Sequence, residues 1–196
     1  MKDIKTFRIV FLYIFLLLCC NFISANPSDK SDEQYNKVAV LIDDNQYEQA
    51  IQLGKEILKN GQKLGDFKKS RLYNNIGYCY YKLEKFEEAY NFYLKALAID
   101  STYFLCLNNI SAVLIKQKRY EEALPYLNKA HALEGRYVKV IFNLFVTYIN
   151  LKNVEMAKHY LKKALKIDKD YTLKRLKRNG ATDKQIMEIQ KFLKDN

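Results

Sequence analysis

The segments FEEA at 86–89, YEEA at 120–123 and VEMA at 154–157 follow one another at a constant interval. Small and apolar residues recur at the same offset: Ala96, Ala130 and Ala164, then Ile99, Leu133 and Ile167. The same period separates residue 86 from residue 120 and residue 120 from residue 154. A fixed period of this length, with apolar residues at helical spacing, is typical of helix hairpins that stack on one another. The sequence therefore predicts an all-α solenoid of hairpins, which binds other molecules more often than it transforms them.

The first full repeat, residues 70–103, places large and small side chains at fixed positions. These residues are Tyr73, Ile76, Gly77, Tyr80, Ala89, Tyr93 and Ala96. With them the chain resembles the tetratricopeptide repeat (TPR) family, and the resemblance implies a right-handed solenoid of helix hairpins. Two further full repeats follow at 104–137 and 138–171.

One residue of the third repeat departs from this pattern. Gly77 and Ser111 are small, but Phe145 stands at the equivalent position. Small residues there let the two helices of a hairpin approach closely, and large residues elsewhere fill the space between them. We expect either that the helices of the third repeat separate slightly or that the ring of Phe145 turns aside.

The N-terminal end of the array is irregular. YEQA at 47–50 repeats the lead-in, but the interval from Ala50 to Ala89 is longer than the constant one, so residues 31–69 form a degenerate first repeat. Residues 26–30 are polar, include a proline and lack apolar periodicity, which predicts a short tether.

At the C-terminal end, residues 172–196 predict capping helices. Gly180 ends the first of them, because glycine is favoured just after a helix. Thr182 and Gln185 have the spacing of a capping box, which predicts the start of the second.

Residues 1–25 have the parts of a secretory leader. A basic start precedes an apolar run over residues 9–20, and Ala25 is a small residue at a suitable cleavage point. Three outcomes stay open: a cleaved signal peptide, lipid attachment at Cys19 or Cys20 as in bacterial lipoproteins, or an uncleaved membrane anchor. We expect an exported protein of the cell envelope, either periplasmic or membrane-associated.

The positive charge of the chain is concentrated near its C-terminus. The sequence has 33 Lys and Arg against 22 Asp and Glu, a formal net charge of +11. Lys174, Arg175, Lys177 and Arg178 lie on one predicted helix, where we expect all four to point outward. This basic patch is either a solvated helix face or a surface for anionic lipid or an acidic protein. Nucleic acid is not an expected partner, because no base-reading motif interleaves the charges.

The cysteines of the repeats, Cys79 and Cys106, are not expected to form a disulfide. They lie on first helices of neighbouring repeats, at different positions in the repeat register. This difference displaces them by about 10 Å along the helix axis. A disulfide needs Cα atoms about 4.4–6.8 Å apart. We expect two buried thiols.

The resemblance to TPR proteins also implies a binding surface, because first-helix positions in that family line a concave groove in which an extended peptide lies. One such position is occupied by asparagine in all four repeats: Asn36, Asn75, Asn109 and Asn143. A carboxamide can donate to a peptide C=O and accept from a peptide N–H, so this ladder suits a bound backbone. Ordinary surface asparagine is the other interpretation. The expected groove also includes Tyr78, Lys82, Lys116 and Lys139.

Nothing in the sequence indicates catalysis. His131 and His159 lie on second helices without a partner at metal-ligand spacing, and phosphate-loop and nucleophile motifs are absent. We expect no enzyme activity, cofactor, metal site or small-molecule substrate. The predicted function is a scaffold or adaptor that binds a peptide or protein partner in its groove. The alternative is a membrane-associated assembly factor or lipoprotein that contacts anionic lipid or an acidic partner through its basic C-terminal helices.

Overall fold

The computed structural model of the chain describes residues 27–60 and 64–194. Over these residues the chain forms ten α-helices and no strand, which confirms the predicted all-α class. The helices are α1 (Pro27–Asp43), α2 (Tyr47–Lys59), α3 (Asp66–Lys82), α4 (Phe86–Ile99), α5 (Phe104–Lys116), α6 (Tyr120–Leu133), α7 (Val138–Asn150), α8 (Val154–Ile167), α9 (Lys169–Arg178) and α10 (Asp183–Lys194). The predicted leader, with Cys19 and Cys20, lies outside the described residues.

The chain divides into two compact units, one ending at Gly65 and one beginning at Asp66. The first unit contains α1 and α2, which pack together at the place of the degenerate repeat. Val38 and Ala50 are fully buried between them. The predicted tether is wrong over residues 27–30, because α1 begins at Pro27. Proline suits a first helical turn, where its missing N–H would have had no intrahelical partner.

In the second unit, α3 to α8 form three hairpins, one for each full repeat, and neighbouring hairpins also pack against each other. The small residues of the motif are buried where the helices meet; Ala89, Ala123 and Ala164 have no exposed surface. Large apolar residues fill the space around them, among them Ile76, Leu107, Ile110, Leu114, Leu127, Ile141 and Leu144. The alternation of small and large positions therefore has the role that the sequence predicts.

Gly77 marks a close approach of the two helices within the first of these hairpins. A Cβ atom on this residue would lie 2.8 Å from two ring carbons of Tyr93 and 3.2 Å from the carbonyl oxygen of Ala89. In the second repeat, the buried hydroxyl of Ser111 donates to the carbonyl of Leu107 at 2.6 Å and so needs no outside partner.

In the third repeat the ring of Phe145 packs against the hydrophobic core. It is half-buried, and its centroid lies 5.6 Å from that of Phe142 on the same helix. There it lines a cavity of about 660 Å³ among α7, α8, α9 and α10. The larger residue is therefore accommodated at the edge of the core, where its ring packs against buried residues and borders the cavity.

The turn inside each hairpin has the same backbone conformation. Asn45, Glu84, Lys118 and Lys152 all have φ near +60°, and the last three stand one repeat length apart. In the second full repeat, the N–H of Arg119 reaches back to the carbonyl of Leu114 at 2.8 Å. This is the bond of a Schellman motif. Sequence reasoning missed these turns, because the left-handed position usually signals its presence with glycine.

The end of α9 and the start of α10 lie at the predicted signals, but α9 begins at Lys169, before the predicted capping region of residues 172–196. Asp168 caps α9 by accepting a hydrogen bond from the N–H of Tyr171 at 2.9 Å. Gly180 follows α9 with φ +94°. Thr182 and Gln185 form the predicted capping box, with reciprocal bonds of 2.9 and 3.3 Å. No helix within residues 27–60 and 64–194 has the length and apolar character that crossing a membrane requires.

The prediction for the cysteines is confirmed. Cys79 and Cys106 are both buried and both free. The Cys106 thiol donates to the carbonyl oxygen of Tyr93 at 3.4 Å, and burial raises the pKa of this thiol far above its usual value. Both residues therefore act as small apolar parts of the core.

Replacing Gly77 by valine tests the close approach. We expect Gly77→Val to lower the free energy of unfolding by about 1–3 kcal/mol through overpacking against Tyr93. The control Ala98→Val lies on the exposed side of α4. It should cost about 0.5 kcal/mol, the helix-propensity difference. Urea unfolding followed by circular dichroism measures both, and equal losses would contradict a tight contact at Gly77.

Candidate peptide-binding groove

The first helices of the three full repeats, α3, α5 and α7, stand side by side and contact their neighbours. The predicted groove residues of the second unit lie on one shared side of these helices, which we call the groove face. Asn75 and Tyr78 on α3 are half-buried there. Lys82, Lys116 and Lys139 are exposed, one on each helix. This part of the predicted site is therefore accessible within the second unit.

The asparagines of the groove face are bonded to one another. Asn143 donates from Nδ2 to Oδ1 of Asn108 at 3.0 Å, and Asn109 donates in the same way to Asn74 at 3.0 Å. A longer contact of 3.5 Å joins Nδ2 of Asn108 to Oδ1 of Asn109. Four carboxamides thus form a chain across three helices, here called the asparagine chain.

The asparagine chain changes the interpretation of the predicted asparagine ladder. Asn74, Asn108 and Asn143 are only 7–8% exposed, so their amides are largely withdrawn from solvent. Asn109 and Asn143 each use one amide donor to join neighbouring helices, which leaves them less hydrogen-bonding capacity for a peptide; their contact with a peptide stays a prediction. Asn75 lies outside the asparagine chain and keeps the predicted placement. Asn36 is exposed in the first unit.

Part of the groove face of α7, at Phe142, is covered by α9. Phe142 has no exposed surface, its ring meeting that of Tyr171 edge-on with centroids 6.3 Å apart. The guanidinium carbon of Arg175 lies 5.3 Å from the Phe142 ring centroid. At this distance the two groups make a cation–π contact. The position of α9 could have been inferred from the sequence, because Leu176 follows Phe142 by one repeat length and α9 occupies the place of a further first helix.

The four residues of the predicted basic patch do not form one outward surface. Arg175 is half-buried and packs on the groove face, so the expectation that it points outward is wrong. The ammonium of Lys177 pairs with Oδ1 of Asp183 at 2.7 Å. Lys174 and Arg178 are exposed. The tertiary structure thus divides the patch between the groove, an ion pair and solvent.

Positive charges on α9 also act on a residue of α3 on the groove face. Burial raises the pKa of Tyr81 on α3, while the nearby positive charges of Arg175, Arg178 and Lys82 lower it in part. The groove and the C-terminal basic helix, considered separately in the sequence, are therefore electrostatically connected.

The N-terminal end of the groove face is occupied by contacts of Arg71. Its guanidinium carbon lies 3.5 Å from the ring centroid of Phe67 and 4.3 Å from that of Tyr103. Its Nη1 also pairs with Oδ2 of Asp100 at 3.4 Å. These contacts tie α3 to the turn between the first two full repeats, so Arg71 has a structural role.

The two histidines lie away from the groove, on the second helices α6 and α8. Nε2 of His131 is 2.9 Å from the ammonium of Lys163. Burial and the charge of Lys163 lower the pKa of His131, which keeps it neutral so that Nε2 accepts this bond. Among the described side chains there is no group of three His, Cys, Asp or Glu residues that could hold a metal ion.

Comparisons with known proteins agree with this architecture. Two sequence profiles described as tetratricopeptide repeat match residues 70–103 and 114–178, about half of the chain. The first match has the bounds that the sequence predicts for the first full repeat. No curated protein matches the chain.

Similar solved structures share the fold at low sequence identity. MamA 41-end from Desulfovibrio magneticus RS-1 is 18% identical with a TM-score of 0.66, over 86% of this chain and 97% of that one. YrrB, described as a TPR protein with an unusual peptide-binding site, is 21% identical with a TM-score of 0.63, over 76% of each chain. The first TPR of Spaghetti (RPAP3), bound to HSP90 peptide SRMEEVD, is 22% identical with a TM-score of 0.53, over 57% of this chain and 90% of that one. These likenesses confirm a helical solenoid of repeats.

The asparagine chain predicts that substitutions of two asparagines on the groove face lower the free energy of unfolding by different amounts. Asn108→Ala should lower the free energy of unfolding by about 1–3 kcal/mol, because it leaves the nearly buried amide of Asn143 without its acceptor. Asn75→Ala should cost clearly less, since Asn75 lies outside the chain of bonds. Thermal and urea unfolding of both variants measure the difference. A loss at Asn75 as large as that at Asn108 would show that the asparagine chain does not join the helices.

Proposed function

Because this chain belongs to the tetratricopeptide repeat family, whose members typically mediate protein–protein interaction, we propose that it is a non-catalytic scaffold that binds an extended peptide segment of a partner protein on its groove face. One observation carries the proposal. The groove face of α3 and α5 presents polar and aromatic groups to solvent, whereas Phe142 on the equivalent face of α7 is covered by α9. Two similar structures are described by their peptide sites, which supports the proposal.

The accessible groups of the groove face suit a peptide backbone. The carboxamide of Asn75 can donate to a peptide C=O and accept from a peptide N–H. The half-buried ring of Tyr78 offers apolar area with a polar end, which binding surfaces favour. Exposed Lys82 and Lys116 stand at the C-terminal ends of their helices, α3 and α5. The groove face can therefore hold the backbone and select among side chains.

The alternative, contact with anionic lipid through the C-terminal helices, has less support. A flat membrane requires cations that share an outward surface. Arg175 is turned onto Phe142 and Lys177 is paired with Asp183, so only two of the four proposed residues remain for that role.

We also propose that the chain is exported to the cell envelope. The leader of residues 1–25 carries this proposal, and it is open whether the leader is cleaved, lipid-modified or retained. The expected result is a mature N-terminus at Asn26 for cleavage or at Cys19 or Cys20 with added acyl mass for lipidation. Mass spectrometry of the protein from its native host, combined with fractionation, decides among these. An intact leader in a fraction free of membrane would overturn export.

Peptide binding is tested by selecting binders from a displayed library of random peptides on the full chain. For a selected peptide, we expect the double variant Asn75→Ala with Tyr78→Ala to weaken the dissociation constant at least about tenfold, the equivalent of about 1.4 kcal/mol. Calorimetric titration measures the affinity, and circular dichroism checks that the fold is intact.

The matched control is Asn128→Ala with Tyr120→Ala, which makes the same chemical changes on α6, a second helix. This variant should bind the selected peptide as the unmodified chain does. If both double variants bind equally well, or if no peptide is selected, the groove face is not the binding site.

A further inference from the structure

Resting on the peptide-binding function above, we propose that the segment bound on the groove face is acidic, and that Arg175 and Arg178 of α9, outside the full repeats, help to select it. The partner is thus defined by its chemistry: an extended stretch that carries several Asp or Glu side chains. Three observations carry this inference: the distribution of carboxylates, the pairing of the arginines and the position of α9.

The helices that form the groove face contain almost no carboxylates. Helices α5 and α7 contain no Asp or Glu, and α3 has only Asp66, its first residue. The cations of these helices include Lys82, Lys116 and Lys139, all exposed on the groove face. A wall lined by one sign of charge creates a potential that attracts the opposite charge and repels the same charge. The groove face is therefore complementary to an acidic segment.

The second helices show the opposite distribution. Each of them carries acidic residues in its first turn: Glu87 and Glu88, Glu121 and Glu122, and Glu155. The scarcity of carboxylates is thus specific to the first helices of the three full repeats, and a low acidic content of these repeats does not explain it.

Arg175 and Arg178 differ from those cations of the second unit that form ion pairs within the protein. Arg119 pairs with Glu122, and Lys177 pairs with Asp183. Within residues 27–60 and 64–194, neither Arg175 nor Arg178 forms such an ion pair. The two arginines thus keep their charge available for a ligand.

The position of Arg175 is set by its surroundings. Its guanidinium packs over the ring of Phe142, and its Nε is buried without a hydrogen-bond partner among the described groups. A guanidinium held in this way loses little freedom on binding a carboxylate, which it can grip through two parallel N–H bonds. Arg175 is therefore a prepared anion contact at the end of the groove face.

The field of α9 extends over the groove face toward α3. Arg175 and Arg178 both act on the hydroxyl of Tyr81, whose pKa they lower against the effect of burial. An acidic segment that lies between α3 and α9 is then attracted from both sides. The inward position of Arg175 favours a peptide in the groove over a membrane surface, which a residue packed on Phe142 faces poorly.

The test compares one selected peptide with its uncharged analogue. The peptide is resynthesised with every Asp changed to Asn and every Glu to Gln, and both forms are titrated against the full chain by calorimetry. We expect the analogue to bind about tenfold or more weakly, the equivalent of about 1.4 kcal/mol. We also expect binding of the acidic form to weaken several-fold between about 50 and about 500 mM salt, concentrations over which the screening length shortens from roughly 14 to about 4 Å.

Arg178→Gln is the main variant, because Arg178 is exposed and its loss should leave the fold intact. We expect it to weaken the acidic peptide about three- to tenfold and to leave the analogue unchanged. Arg175→Gln should act in the same direction, and Lys129→Gln on α6 is the control, which should change neither.

The outcomes distinguish the two proposals. If no peptide binds on the groove face, the scaffold function fails together with this inference. If a peptide binds and its uncharged analogue binds equally well, the acidic preference is wrong and the scaffold function stands. If Arg178→Gln reduces binding to vesicles of phosphatidylserine and phosphatidylcholine but not to the acidic peptide, the arginines serve a membrane contact and the inference is overturned.

Discussion

The close approach of two helix backbones within each hairpin is the constraint on which the second unit depends. A tyrosine ring and a carbonyl already occupy the space where a side chain on Gly77 would begin, and Ala89 opposite it has no exposed surface. Because the helices are this close, large residues can fill the neighbouring gaps between them. Small residues recur at the constant repeat interval, so successive hairpins repeat one geometry and bring their first helices side by side. The groove face is a consequence of that repetition.

The groove face serves both stability and binding, and different residues carry the two roles. Asn74, Asn108, Asn109 and Asn143 satisfy one another across three helices. Buried carboxamides must be paired, so these bonds specify how the first helices align. Asn75 stands next to Asn74 in sequence but on the accessible side of the wall. Asparagines at nearly the same repeat position thus have two roles. Some bond the helices to one another, and Asn75 remains accessible to a partner.

The helix dipole accounts for part of the charge distribution along the repeats. Glutamates in the first turns of the second helices, such as Glu87 and Glu121, favour the positive end of the helix dipole. Lys82 and Lys116, in the last turns of first helices, favour its negative end. The helix dipole therefore accounts for the lysines at one end of the groove face, but it does not explain why the first turns of α5 and α7 lack acidic residues. Arg175 and Arg178 add charge from a helix that follows the repeats.

The sequence by itself determined the all-α class, the positions of the three full repeats, the buried free cysteines and the capping box at Thr182. These features follow from the local spacing of residues, which recurs because the two helices of every hairpin pack against each other in the same way. Only the tertiary structure decided which asparagines bond to each other, where the ring of Phe145 goes and that Arg175 faces inward onto Phe142. Such contacts join residues on different helices through side-chain geometry. Helical periodicity specifies which face a residue lies on, but it does not specify which neighbour its side chain meets.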